Sequence, residues 1–166
     1  TDVYLGPDYS KDLAALLQKS ATGSYHVEEL NFNQNAGADR VAELIDCGKA
    51  VGIFYGGMEY GPRALGARTI MADPRDPDIN DRLNARMRRS EFMPFAPVVM
   101  KEHCQDVFQL PRNLEYTSNF MTCVCRVRDE WRARVPAIVH VDGTARPQLI
   151  SQTQNPIYYS IIKAFW

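Results

Sequence analysis

Apolar positions fall into short runs whose period changes several times along the chain. Val3–Leu5 is a short strand candidate. From Ser10, whose hydroxyl can cap a helix, Leu13, Leu16 and Leu17 recur at helical spacing through Gln18. Tyr25–Leu30 alternates loosely and predicts a strand, and Asn33–Ala38 is rich in turn formers. A second helix carries Val41, Leu44 and Ile45 on one face and stops at Gly48. Lys49–Tyr55 (KAVGIFY), apolar and partly β-branched, predicts a buried strand. A stretch rich in Gly and Arg reads as loop. Asp78–Arg88 then repeats Ile79, Leu83 and Met87 at helical spacing. Pro94 and Pro97 flank an extended segment through Met100, and Phe120–Val127 and Ile138–Val141 read as strands. A last helix begins at Asn155-Pro156, a polar cap followed by a residue pre-set for the first turn. Interleaved helices and strands predict an α/β domain without internal repeats.

The 166 residues fit one domain. A chain of about 150 residues buries roughly 68–70% of its unfolded surface, so no disulfide or metal staple is needed. Apolar residues at 45% and charged residues at 23% exclude disordered, collagen-like and coiled-coil classes. A net charge of −1 excludes a strongly basic nucleic-acid coat but leaves room for a local basic patch. No apolar run approaches the roughly 18 residues of a membrane span. Residues 1–10 (TDVYLGPDYS) lack the basic start and apolar stretch of a signal peptide. The chain opens on Thr1 and closes on an uncapped apolar helix, so the expectation is a piece of a longer chain. Cys47, Cys104, Cys123 and Cys125 form no CxxC, and His26, His103 and His140 are scattered. Buried free thiols in a cytoplasmic protein are favoured over a zinc site.

Charge is distributed unevenly. Arginine outnumbers lysine by 14 to 5. Between Gly61 and Ser90 lie Arg63, Arg68, Arg75, Arg82, Arg86, Arg88 and Arg89 against four aspartates, a local excess of +3. A guanidinium fork matches phosphate or carboxylate bidentately. On a helix Arg82, Arg86 and Arg89 stand at i, i+4 and i+7 and share a face that makes an anion cradle; the plainer reading is a solvated face paired with Asp78 and Asp81. Gly56–Arg68 (GGMEYGPRALGAR) offers backbone N–H groups to an anion, yet lacks both the Walker ending and dinucleotide spacing. A plain structural loop is its alternative. Glu59, the lone carboxylate inside that loop, takes no acid or base role. His140–Gln148 (HVDGTARPQ) is a third cluster, either a hairpin with an Asp-Gly turn or a polar wall carrying Arg146. No nucleophile pair is evident.

These three clusters, Gly56–Arg75, Asn84–Pro97 and His140–Gln148, resemble in order and spacing the O-carbamoyltransferases typified by the nodulation protein NodU. That group includes the cephamycin and tobramycin carbamoyltransferases. The resemblance runs from Tyr4-Leu5-Gly6-Pro7 to the final helix. It implies a single C-terminal domain over 1–166 with the YrdC/Sua5-like fold, an open twisted mixed sheet flanked by helices. It also implies an N-terminal domain of the actin/sugar-kinase type as partner in the same chain, and a last strand beyond Trp166. The implied chemistry uses ATP with Mg2+ and carbamoyl phosphate to form carbamoyl-adenylate, from which the carbamoyl group passes to a substrate hydroxyl. By the same resemblance Arg89 and Arg68 are catalytic. Arg63, Arg86, Arg88, His140, Asp142, Thr144 and Arg146 hold substrate and nucleotide. Met87 stands where many relatives have a lysine, with Arg86 or Arg88 as substitutes for its charge.

Two other classes compete. A nucleic-acid module would use Arg82, Arg86, Arg88 and Arg89 on phosphates, with steep salt dependence; low net charge weighs against it. A docking domain, inert when isolated, would expose a sheet edge able to pair in a homodimer.

Overall fold

The computed structural model describes residues 3–20, 26–33, 35–90 and 93–166. Helix α1 (Ser10–Ser20) and helix α2 (Ala36–Asp46) precede an antiparallel ribbon of β1 (Val51–Phe54) and β2 (Arg68–Met71). Helix α3 (Ile79–Met87) leads to β3 (Val98–Met100), a one-turn helix α4 (Cys104–Val107) and β4 (Phe108–Gln109). The turn α5 (Glu115–Ser118), β5 (Cys125–Val127) and the turn α6 (Asp129–Arg132) follow. Strands β6 (Thr144–Ala145) and β7 (Gln148–Ile150) and helix α7 (Pro156–Phe165) complete the order.

The architecture is mixed α/β, and among the described residues the strands form three small sheets rather than one open sheet. β1 pairs β2 antiparallel, β3 pairs β7 in parallel, and β4, β5 and β6 form an antiparallel trio. Pro147 stands where the chain changes sheets. It has no N–H for a ladder. β6 therefore stays with β5, and β7 departs to β3, with the Gln148 N–H donating to the Pro97 carbonyl at 2.8 Å. Successive residues of a strand face opposite sides. Leu149 enters a core with Val99, Phe108 and Val127, whereas Ile150 enters one between α2 and α7 with Val41, Ile45 and Ile161. A third cluster joins Ile79 and Leu83 to Ala137.

Several expected strands are absent. Val3–Leu5 is not a ladder strand; it lies along 57–60 through single bonds such as Gly6 N–H to Met58 O (2.9 Å). Residues 26–30 are irregular, and Tyr25 and the Leu17 side chain lie outside the described residues. Within Phe120–Val127 only Cys125–Val127 is a strand, because Met121 takes a left-handed conformation (φ 53°). Pro136 starts a 3-10 turn through Ile138 in place of the strand read at Ile138–Val141. β1 is not buried: Gly52 and Phe54 face outward, since the ribbon has one covered face. β2 lies inside what read as loop. Among the described residues no helix is long and apolar enough to cross a membrane.

α7 follows the expected logic. The Asn155 side chain accepts from the Tyr158 N–H at 3.0 Å, and Pro156 occupies the first turn. The Asn155 Nδ2 also donates to the Gly66 carbonyl at 3.3 Å, so the cap ties the last helix to the glycine loop. Asn155→Ala removes a cap worth about 0.5–2 kcal/mol and a buried carbonyl's partner worth about 1–3 kcal/mol. The expected loss in urea unfolding is about 2–4 kcal/mol. Asn155→Asp, which keeps the cap acceptor but not the donor, is expected to lose less.

Candidate functional site

Residues 59–68 form a loop held from inside. The Glu59 carboxylate is 6% exposed, and its Oε1 accepts from the N–H groups of Leu65 (2.8 Å), Ala67 (2.7 Å) and Arg68 (3.0 Å). Burial pulls its pKa up, but the three backbone donors outweigh that and hold it below its ordinary value. The loop's carbonyls are also engaged: Leu65 O accepts from Gln148 Nε2 (2.7 Å) and Tyr4 OH (2.9 Å). Gly66 has a φ of 118°, and a Cβ there would lie 2.4 Å from the Tyr158 ring. Only glycine fits this conformation and this close approach.

A cavity of about 990 Å³ lies between this loop, α3, the segment before β3 and the end of α7. Arg63, Arg89 and Arg146 all line it. Arg63 is carried by the pinned loop. Arg89 reaches it because α3 stops: Arg88 is left-handed (φ 54°), and the Arg89 N–H closes the helix end on the Asn84 carbonyl at 2.8 Å. The Arg89 guanidinium then sits 5.1 Å over the Phe95 ring. Asn80 fixes that ring's backbone, accepting from the Phe95 N–H and donating to the Ala137 carbonyl. Arg146 follows the turn at 140–144, and its Nε is buried without a partner. Among the described residues none of these three guanidinium groups has a carboxylate within ion-pair distance.

The other two arginines that line the cavity, Arg75 and Arg134, are already occupied. Arg75 grips Asp73 through Nε and Nη2, reaches Asp46 at 2.6 Å, and lies 5.3 Å over Phe165. Burial pulls the Asp73 carboxyl up, yet Arg75 keeps it below the usual range. Arg134 stacks on Trp131 at 4.0 Å, and Trp131 stacks on Trp166. Arg82 pairs with Asp76.

The structure therefore divides the sequence candidates. It gathers Arg63, Arg89 and Arg146. Arg68 turns to the ribbon's outer face, where it donates to the carbonyls of Tyr55, Gly56 and Ala67 and lies 3.7 Å over the Phe54 ring. Arg86, Arg88 and Arg89 are all exposed, but of the three only Arg89 lines the cavity. The shared face expected for Arg82, Arg86 and Arg89 does not exist, because the helix ends at Met87. His140, Asp142 and Thr144 close on one another beside the cavity. Asp142 Oδ1 accepts from Thr144 N–H (3.0 Å) and Oγ1 (2.7 Å), and His140 Nδ1 lies 2.9 Å from the same hydroxyl. The hydroxyl proton goes to Asp142, which assigns the imidazole proton to Nδ1. The Thr144 hydroxyl and N–H lower the Asp142 pKa. This turn sets where Arg146 begins. The sequence marks Asn155 as a helix cap but gives Glu59, Gln148 and Tyr4 no positioning role. The available signal was one acid inside a loop whose backbone N–H groups had no strand to pair with.

The family model described as the carbamoyltransferase C-terminus matches residues 42–166. The chain belongs to this family. It is 39% identical over 166 residues to the nodulation protein NolO of Bradyrhizobium diazoefficiens, covering 99% of this chain and 29% of that protein. It is 41% identical over 165 residues to the nodulation protein NolNO of Sinorhizobium fredii, covering 99% and 24%. An uncharacterized protein of Methanocaldococcus jannaschii is 37% identical over 164 residues, covering 98% and 26%. The chain thus spans less than a third of the length of these relatives.

Because the Glu59 pKa is lowered on folding, its stabilisation is full above the ordinary value of 4.5 and is lost as pH falls through the folded value. Glu59→Gln is expected to cost about 2–4 kcal/mol at pH 7, as charge-assisted bonds to three amides are weakened. Its urea midpoint is expected to vary less than the wild type's as pH falls below 4.5. Parallel pH profiles of the two proteins would show that Glu59 does not hold the loop as an anion.

Proposed function

We propose that this domain binds ATP and carbamoyl phosphate and forms carbamoyl-adenylate within an O-carbamoyltransferase. The observation that carries the reading is the convergence of Arg63, Arg89 and Arg146 on one cavity, with no carboxylate partner among the described residues. Family membership supplies the carbamoyl chemistry. An unpaired guanidinium in a walled site is poised for a multiply charged anion, and Arg146 Nε is a donor with no protein acceptor.

In the proposed sequence water cleaves carbamoyl phosphate to carbamate and inorganic phosphate. A carbamate oxygen then bonds to the α-phosphorus of ATP as the bond to pyrophosphate breaks. The arginines hold the phosphate oxygens and the charge that grows on the leaving pyrophosphate. The chain's own contribution is therefore electrostatic, which accords with a cavity that offers no activated nucleophile. Mg2+ accompanies nucleotide phosphates and keeps several waters. Among the described residues no group of three His, Cys, Asp or Glu is placed for a metal, and Asp73 is engaged by Arg75, so no side chain here is assigned to it. Passage of the carbamoyl group to a hydroxyl belongs, in this reading, to an N-terminal domain of the longer protein.

Calorimetric titration of ATP with magnesium, with and without carbamoyl phosphate, tests the assignment. Arg63→Ala, Arg89→Ala and Arg146→Ala are each expected to weaken binding about ten- to hundredfold, the worth of a charged hydrogen bond. Arg86→Ala and Arg88→Ala are expected to leave it unchanged. Equal losses in all five variants, or a wild type that takes up no nucleotide, would remove the reading.

A further inference from the structure

A second cavity, of about 230 Å³, shares no lining residue with the arginine cavity. It is below the roughly 300–1,000 Å³ of sites for drug-sized ligands, so it suits one planar ring or a smaller group. Tyr4, Phe120 and Ile150 form its apolar side, and Asn119, Gln148 and Gln154 its polar side. Among the described residues no acidic or basic side chain lines it.

Gln148 is 2% exposed. Its amide orientation is set by the Leu65 carbonyl, which takes Nε2 as donor at 2.7 Å and so leaves Oε1 as the other atom. That Oε1 is buried without a partner, and so is Oδ1 of Asn119. A buried acceptor without a donor is destabilising, and two on residues that line the same small cavity point to a ligand that supplies both donors. A cation would lose its hydration there with no counter-charge. An anion would meet two amide oxygens. A neutral N–H donor satisfies both constraints, and the aromatic walls favour a planar one.

We propose that this cavity binds a neutral planar amino group, –C(=X)–NH2, of the kind found in a carboxamide or in an aminopurine base. The site stands on Gln148 and Asn119 and does not depend on the arginine cavity, since the group it takes carries no phosphate.

The side-chain amide resonance of Gln148 reports on occupancy in a titration of the wild-type protein with acetamide and, separately, with adenine. A saturable shift with either supports the site, and which probe binds identifies the source of the amino group. N,N-Dimethylacetamide and purine, which lack the amino donors, are expected to bind at least about tenfold more weakly, the worth of one such hydrogen bond. Asn119→Leu, which removes one acceptor and leaves the Gln148–Leu65 bond, is expected to abolish the shift. No shift with acetamide or adenine, or equal shifts with the donor-free analogues, would overturn the proposal and leave the cavity as a water site.

Discussion

One carboxylate holds the glycine loop in shape. Glu59 Oε1 gathers three loop donors, the N–H groups of Leu65, Ala67 and Arg68, that would otherwise lack acceptors. The loop carbonyls are then free to meet Tyr4, Gln148 and Asn155, which arrive from the chain start, from β7 and from the cap of α7. Three distant parts of the sequence are thereby fixed to one short turn. The packing of Gly66 against Tyr158 closes the arrangement, since no side chain fits between them. A loop held this way presents Arg63 from a rigid base, which a purely solvated glycine loop would not do.

The arginines divide by whether the fold has already satisfied them. Arg75 and Arg82 are paired with carboxylates, and Arg68 has given its donors to backbone carbonyls. Their role is to hold segments together. Arg63, Arg89 and Arg146 bring charge to a common cavity whose one described carboxylate, Asp73, is already held by Arg75. Leaving such groups unpaired opposes folding, and the buried Nε of Arg146 alone forgoes a hydrogen bond. Proteins keep local conflicts of this kind chiefly at functional sites, where a ligand resolves them.

Legibility in the sequence followed the range of the interactions. The α3 stripe of Ile79 and Leu83 and the Asn155-Pro156 start of α7 are local, and both were readable. The β2 strand was not, because its apolar content is interrupted by Arg68 and Thr69 and it exists only by pairing with β1. The arginine-rich window was visible as composition, but composition does not distinguish Arg89 from its neighbours Arg86 and Arg88. The distinction comes from one left-handed residue that ends the helix. Arg68 and the His140, Asp142 and Thr144 group look like ligand contacts in a one-dimensional pattern. In three dimensions Arg68 Nη1 and Nη2, His140 Nδ1, the Thr144 hydroxyl and Asp142 Oδ1 are used within the chain.

The sequence by itself determined the α/β class, the longer helices, the family through its three ordered clusters, and the excess of arginine over lysine in their midst. Those features rest on spacing and residue type, which act over a few positions. Tertiary structure alone decided which arginines share a cavity, that Glu59 works as a backbone anchor, and that β6 and β7 part at Pro147 into different sheets. Each of these depends on which group is available as a hydrogen-bond partner once distant segments meet, and that information is absent until the chain has folded.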